Sequence, residues 1–154
     1  LIKKKVLLLR QQQQDVKKIR RYWNHPINRN RECLGIYNTL IKELQSPDYA
    51  ERHRQYLRMS YENFDQWLTL VKPHITRQDT RMRNSIELGL KLVVTLQHLA
   101  EGASPKSNAQ HYRLGRLTVS QAIYSTCEAL WHVLQPLYLQ APRGPEDWKE
   151  ITKG

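Results

Sequence analysis

Residues 104–134 read SPKSNAQHYRLGRLTVSQAIYSTCEALWHVL, and this stretch decides the fold. Ser104 offers a capping hydroxyl and Pro105 suits a first helical position, so a short helix is expected over about 105–112. Leu114-Gly115-Arg116 reads as a tight turn. Thr118 then reads as the cap of a long helix reaching about residue 134. In that helix Val119, Ile123, Cys127, Leu130 and Leu134 recur at helical spacing, while Gln121, Tyr124, Ser125 and Glu128 point the other way. A short helix, a glycine turn and a long helix are the last two helices of a tri-helical helix-turn-helix plan.

The first helix of that plan lies upstream. Ser85 is expected to cap a helix over about 86–101 with the stripe Leu88, Leu92, Val93, Leu96 and Leu99, ended by Glu101-Gly102. Before it, residues 74–85 form a basic loop, and a helix opening at Ser60 carries Phe64, Trp67, Leu68 and Val71 on one face until Pro73 stops it. Ser46-Pro47-Asp48 is a turn that starts a helix over about 48–57. Residues 30–45 carry Leu34, Tyr37, Leu40, Ile41 and Leu44 at three- and four-residue steps, which predicts one further helix. Trp23 is expected to anchor the segment before it.

The fold class read from these patterns is all-α. The expected organisation is a basic low-complexity arm at 1–21, a helical subdomain at 22–84, the helix-turn-helix at 85–135, and a linker at 136–154. Pro136, Pro142, Gly144 and Pro145 mark an open linker over about 135–147.

The chain carries a formal charge of +11 in 154 residues. Residues 1–31 hold ten Lys or Arg against one acid, and residues 74–120 hold seven against three. Two basic blocks in an otherwise near-neutral chain suit a polyanionic partner. Placed on the helix-turn-helix plan, Thr118, Ser120, Gln121 and Tyr124 are the candidates for bases or phosphates at the start of the long helix. Gln121 has the donor-acceptor pair that matches an adenine edge. Arg113 and Arg116 flank the turn, Lys106 opens the short helix, and Arg77, Arg81, Arg83 and Lys91 make a second basic surface.

Enzyme chemistry has little to stand on. The six histidines are scattered, no glycine-rich phosphate loop is present, and the acids are dispersed among Lys and Arg. No catalytic or metal-binding residue is assigned. Cys33 and Cys127 show no ligand spacing and fall at apolar helical positions, which predicts buried thiols. The apolar run at Val6–Leu9 is too short to span a bilayer.

Six segments in series carry a resemblance. They are Trp23-Asn24-His25-Pro26-Ile27-Asn28-Arg29, Tyr56-Leu57-Arg58-Met59-Ser60, Phe64-Asp65, Thr76-Arg77-Gln78-Asp79-Thr80, Gly115-Arg116-Leu117-Thr118-Val119-Ser120 and Cys127-Glu128-Ala129. Their order and spacing, from about Arg20 to Trp148, resemble the N-terminal half of the PIF/Harbinger transposase-derived nucleases. The resemblance implies a helical region with a helix-turn-helix, followed in full-length members by a nuclease domain with three carboxylates and a divalent metal. That domain and its metal are expected beyond this chain, so no cofactor is expected within it. The resemblance also implies a Myb/SANT-like protein partner and a nuclear location, with the cytoplasm as a second one. Leu117, Gln121, Ala122 and Asn108 depart from the family pattern. An aliphatic residue is expected where Asn108 stands, and an unpartnered amide buried there would cost about 1–3 kcal/mol.

The function expected from the sequence is non-catalytic DNA binding by a transposase-like fragment. The alternative is a protein-interaction module that docks on a nuclease domain, a second copy or the Myb-like partner. No membrane partner is expected.

Overall fold

Pro26 sets the first helical turn of the chain that is described. In the computed structural model, residues 22–81, 84–139, 142 and 144–153 are described. The basic arm at 1–21 and Arg83 lie outside these residues. The chain is all-α: helices account for the regular structure of the described residues, with no strand element among them.

Helix α1 (Pro26–Arg29) is capped by His25, whose Nδ1 accepts from the Ile27 N–H at 3.4 Å. Helix α2 (Arg31–Leu34) ends at Gly35, where ψ swings to 136°. The single helix expected over 30–45 is therefore broken. The chain re-enters so tightly that a Cβ at Gly35 would collide with the Arg31 carbonyl. Beyond it runs a π-helical turn (Tyr37–Ile41) and a 3-10 turn (Glu43–Gln45). The shifted register buries Tyr37, Ile41 and Leu44 but leaves Leu34 and Leu40 outward.

A 3-10 turn (Pro47–Tyr49) leads into α3 (Ala50–Leu57). Helix α4 (Tyr61–Ile75) opens as expected at Ser60, whose Oγ accepts from the Asn63 N–H. Pro73 does not stop it. So near the C-terminus, a missing N–H removes a single intrahelical bond. Thr76 closes the last turn, donating its N–H and hydroxyl to the Lys72 carbonyl at 3.1 and 2.5 Å.

Helix α5 (Leu88–Glu101) begins later than expected. Ser85 does not cap it; instead the Ser85 N–H donates to Asp79 Oδ1 at 2.6 Å and fastens the preceding loop. Those hydrogen bonds from Ser85 hold the Asp79 carboxyl below the usual aspartate range. Nine consecutive residues of α5, Gly89 to Gln97, are buried, so this helix has no polar face over its middle turns. Its first turn lies so close to Tyr37 that a Cβ at Gly89 would overlap the Tyr37 hydroxyl. Leu99, two residues past the buried run, is exposed, and Gly102 terminates the helix with φ +66°.

Helix α6 (Pro105–His111) is capped by Ser104 Oγ, which accepts from the Ser107 N–H at 3.2 Å. Helix α7 (Arg116–Tyr138) then packs on α4, α5 and α6 through Val119, Ala122, Ile123, Thr126, Ala129 and Leu130. Two expectations about α7 are corrected. Gly115 is the N-cap, with Thr118 inside the first turn, and the helix runs through Pro136 to Tyr138. The open linker expected from 135 is thus helical for four residues more. A further helix, α8 (Pro145–Ile151), stands within the remainder.

Side chains expected inside are partly outside. Trp23 is 73% exposed and Cys33 lies at the surface, because α1 and α2 are too short to face the core. Cys127 is half-buried, and burial pushes its thiol up. Among the described residues no helix is long and apolar enough to cross a membrane.

Candidate nucleic-acid interface

The corner between α6 and α7 is built on one buried side chain. Tyr112, the C-cap of α6, is 1% exposed, and its hydroxyl donates to Gln97 Oε1 inside α5. Gln97 Nε2 in turn donates to the Tyr56 hydroxyl of α3 at 3.1 Å. This chain of contacts ties the corner to two other helices. Burial raises the Tyr112 phenol well above its ordinary value, so it stays neutral and remains a donor.

From that anchor the chain turns outward. The left-handed residue is Arg113 (φ 51°) rather than Gly115, whose φ is −73°. A non-glycine residue in that region is uncommon, and here it is held from both sides. The Leu114 N–H donates back to the Ala109 carbonyl at 2.9 Å, and Leu114 is buried. The Arg113 guanidinium reaches the Ile27 carbonyl of α1 at 3.4 Å. Arg113 therefore swings toward the N-terminal segment, not along α7.

Two adjoining clefts result. The first, about 300 Å³, lies among Arg29, Arg31, Arg81, Arg113, Asn28 and Asn84. The second, about 270 Å³, lies among Arg31, Arg77, Gln78, Asn84, Thr118 and Gln121. Arg31 and Asn84 line both. Glu32 is the one acid on the walls of the first cleft, and the second has none among its described walls. Among the described residues the ion pairs are Lys42–Glu87 and Lys149–Glu146, so none of these five guanidinium groups pairs with a described carboxylate.

Of the residues expected to contact nucleic acid, Arg77, Arg81, Lys91, Arg113, Thr118 and Gln121 line these clefts, Lys91 only from within the wall. Arg116 and Tyr124 are exposed on α7 and line neither cleft, Tyr124 being 72% exposed. Ser120 is half-buried. Lys106 is exposed on the first turn of α6 and lines neither cleft.

Lys91 is corrected. It is 5% exposed, and its ammonium donates to the Ile75 carbonyl at the end of α4 at 2.7 Å. It caps the negative end of that helix dipole, while burial lowers its pKa.

Sequence reasoning missed Arg29, Arg31, Asn24, Asn28 and Asn84. The two arginines were counted in the basic N-terminal block, but nothing in their spacing ties them to a corner more than eighty residues away.

Two of the departures from the family pattern are inside. Ala122 is buried, and Asn108 is 3% exposed with its Nδ2 lacking any hydrogen-bond partner. Among the described residues no group of three or more His, Cys, Asp or Glu is placed to hold a metal ion. Compared with known proteins, the chain matches no family model, no curated protein and no solved structure.

Proposed function

We propose that this chain binds DNA through the α6–α7 corner and the two clefts beside it, with α5, α6 and α7 acting as a helix-turn-helix and α7 as the reading helix. One observation carries the reading. Five guanidinium groups from three separated segments line two adjoining clefts, the second of which also holds Thr118 and Gln121, and none of the five pairs with a carboxylate among the described residues. Like charges gathered this way repel unless an anion sits among them, and phosphates of a nucleic-acid backbone supply that anion repeatedly.

The division of labour follows from side-chain chemistry. The arginines position the backbone, and Gln121 and Tyr124, on the outward side of α7, reach toward base edges. The series of motifs that resembles the Harbinger transposase-derived nucleases supports the same reading. On it, the catalytic domain, its metal and the Myb/SANT-like partner belong to other chains or other parts of a longer one, and the setting is the nucleus.

Fluorescence anisotropy on a labelled duplex, repeated across salt concentrations, tests the proposal. Five phosphate contacts predict a log–log slope of roughly −4 to −5. Arg113→Glu and Arg31→Glu should each flatten that slope and weaken binding. A salt-independent signal, or variants that bind as the native chain does, would overturn it.

A further inference from the structure

The opposite flank of α7 carries a different surface. Its C-terminal half walls an apolar groove of about 660 Å³ with Trp67 of α4, Leu99 of α5, and Trp131, Leu134, Tyr138 and Leu139. Trp131 is 59% exposed, Tyr138 76%, Leu99 62% and Leu139 58%. The remaining walls include Asn63, Gln66 and Gln135, so no Lys, Arg, Asp or Glu lines the groove among the described residues. In a chain of net charge +11 this is a conspicuous gap in the charge.

We propose that this groove is the interface between two copies of the chain, paired about a two-fold axis that crosses α7 near Leu134. The proposal goes beyond the nucleic-acid reading and does not depend on it.

Three observations favour a second copy as the occupant. A two-fold interface brings a patch against itself, so a charged patch would oppose its own charge. This one holds none among the described residues, and the arginine clefts of both copies stay on the far flank. Next, Trp131 and Tyr138 lie seven residues apart and so share a helix face. An antiparallel pairing centred between Leu134 and Gln135 sets Trp131 of each copy against Tyr138 of the other. Each ring then meets the unfilled side of the groove.

The area is also sufficient. An aromatic side chain buries roughly 150–250 Å² when covered, so Trp131 and Tyr138 at their present exposure supply about 200–350 Å² per copy. With Leu99, Leu139 and the groove walls the two copies together bury on the order of 1,000 Å². That is the lower edge of a specific interface and suits a weak, concentration-dependent dimer. The first turns of α7, with Arg116, Thr118 and Gln121, lie outside the pairing.

Sedimentation velocity on nuclease-treated protein in high salt tests this without DNA. The mass should rise from 18.3 kDa toward twice that value as concentration climbs to about 500 µM. Trp131→Glu and, separately, Tyr138→Glu place a carboxylate in each half of the interface. Both should hold the chain monomeric while leaving its helical circular dichroism unchanged, since both rings are largely exposed. Arg113→Glu should dimerise as the native chain does, which separates this interface from the nucleic-acid surface. A monomer across the whole range, irregular aggregation, or carboxylate variants that dimerise normally would each overturn the proposal.

Discussion

Replacing Asn108 with Leu should stabilise the protein. Asn108 sits in α6 at 3% exposure, and its amide nitrogen has two hydrogens with nowhere to go. A buried donor left unmade costs about 1–3 kcal/mol. Leucine repeats the branched skeleton of asparagine beyond Cβ without the polar atoms. Its methyls are larger, so the added apolar burial is offset by crowding of similar size, about 1–3 kcal/mol. Leucine also has the better helix propensity, by a few tenths of a kcal/mol. The net expectation is a gain of about 1–3 kcal/mol. At roughly 2–4 °C per kcal/mol for a domain of this size, the midpoint of thermal unfolding should rise by about 2–12 °C. Differential scanning calorimetry reads this directly. Asn108→Asp is the opposing control, because it buries an unpaired carboxylate and should lower the midpoint steeply. An unchanged or lower midpoint for Asn108→Leu would mean that the amide has a partner after all, and would refute the reasoning.

Other outcomes follow from the same structure. Thr126 is fully buried with an unpartnered hydroxyl, so the nearly isosteric Thr126→Val should raise the urea midpoint by an amount equivalent to about 1 kcal/mol or more. Burial, with Glu87 nearby, pushes Tyr37 up to about 12 from its ordinary value near 10. Above pH 10 the unfolded chain therefore sheds this proton first, and stability present below pH 10 is lost by pH 12. Tyr37→Phe should remove roughly 2–3 kcal/mol of that alkaline loss, measured as urea midpoints at pH 9 and pH 12. Lys106 lines neither cleft, so Lys106→Ala should leave the salt slope of DNA binding unchanged, whereas Arg31→Ala should reduce it by about 0.9.

Much of the architecture is legible in single residues. Ser60 and Ser104 start their helices by the hydrogen bonds their hydroxyls invite, Gly102 stops one, and the stripe from Val119 to Leu130 names the buried side of α7. These are local effects, set within one or two turns of chain. The same local rules misread Lys91. Its neighbours on α5 are apolar all round, which signals a helix enclosed on every side, but the sequence alone does not say what encloses it or that the Ile75 carbonyl waits at the right distance. They misread Pro73 and Pro136 too, because a proline in a last turn removes little that packing against neighbouring helices does not replace.

What sequence alone determined was the helical class, the starts of α4 and α6 at Ser60 and Ser104, and the outward side of α7 with Gln121 and Tyr124. Tertiary structure decided which cations share a cleft. Arg31 and Arg113 are eighty-two positions apart, and helical periodicity carries no information over that distance. Their meeting depends on Tyr112 being locked to Gln97, which sets the corner, and on the left-handed turn at Arg113, which aims its side chain at the N-terminal segment.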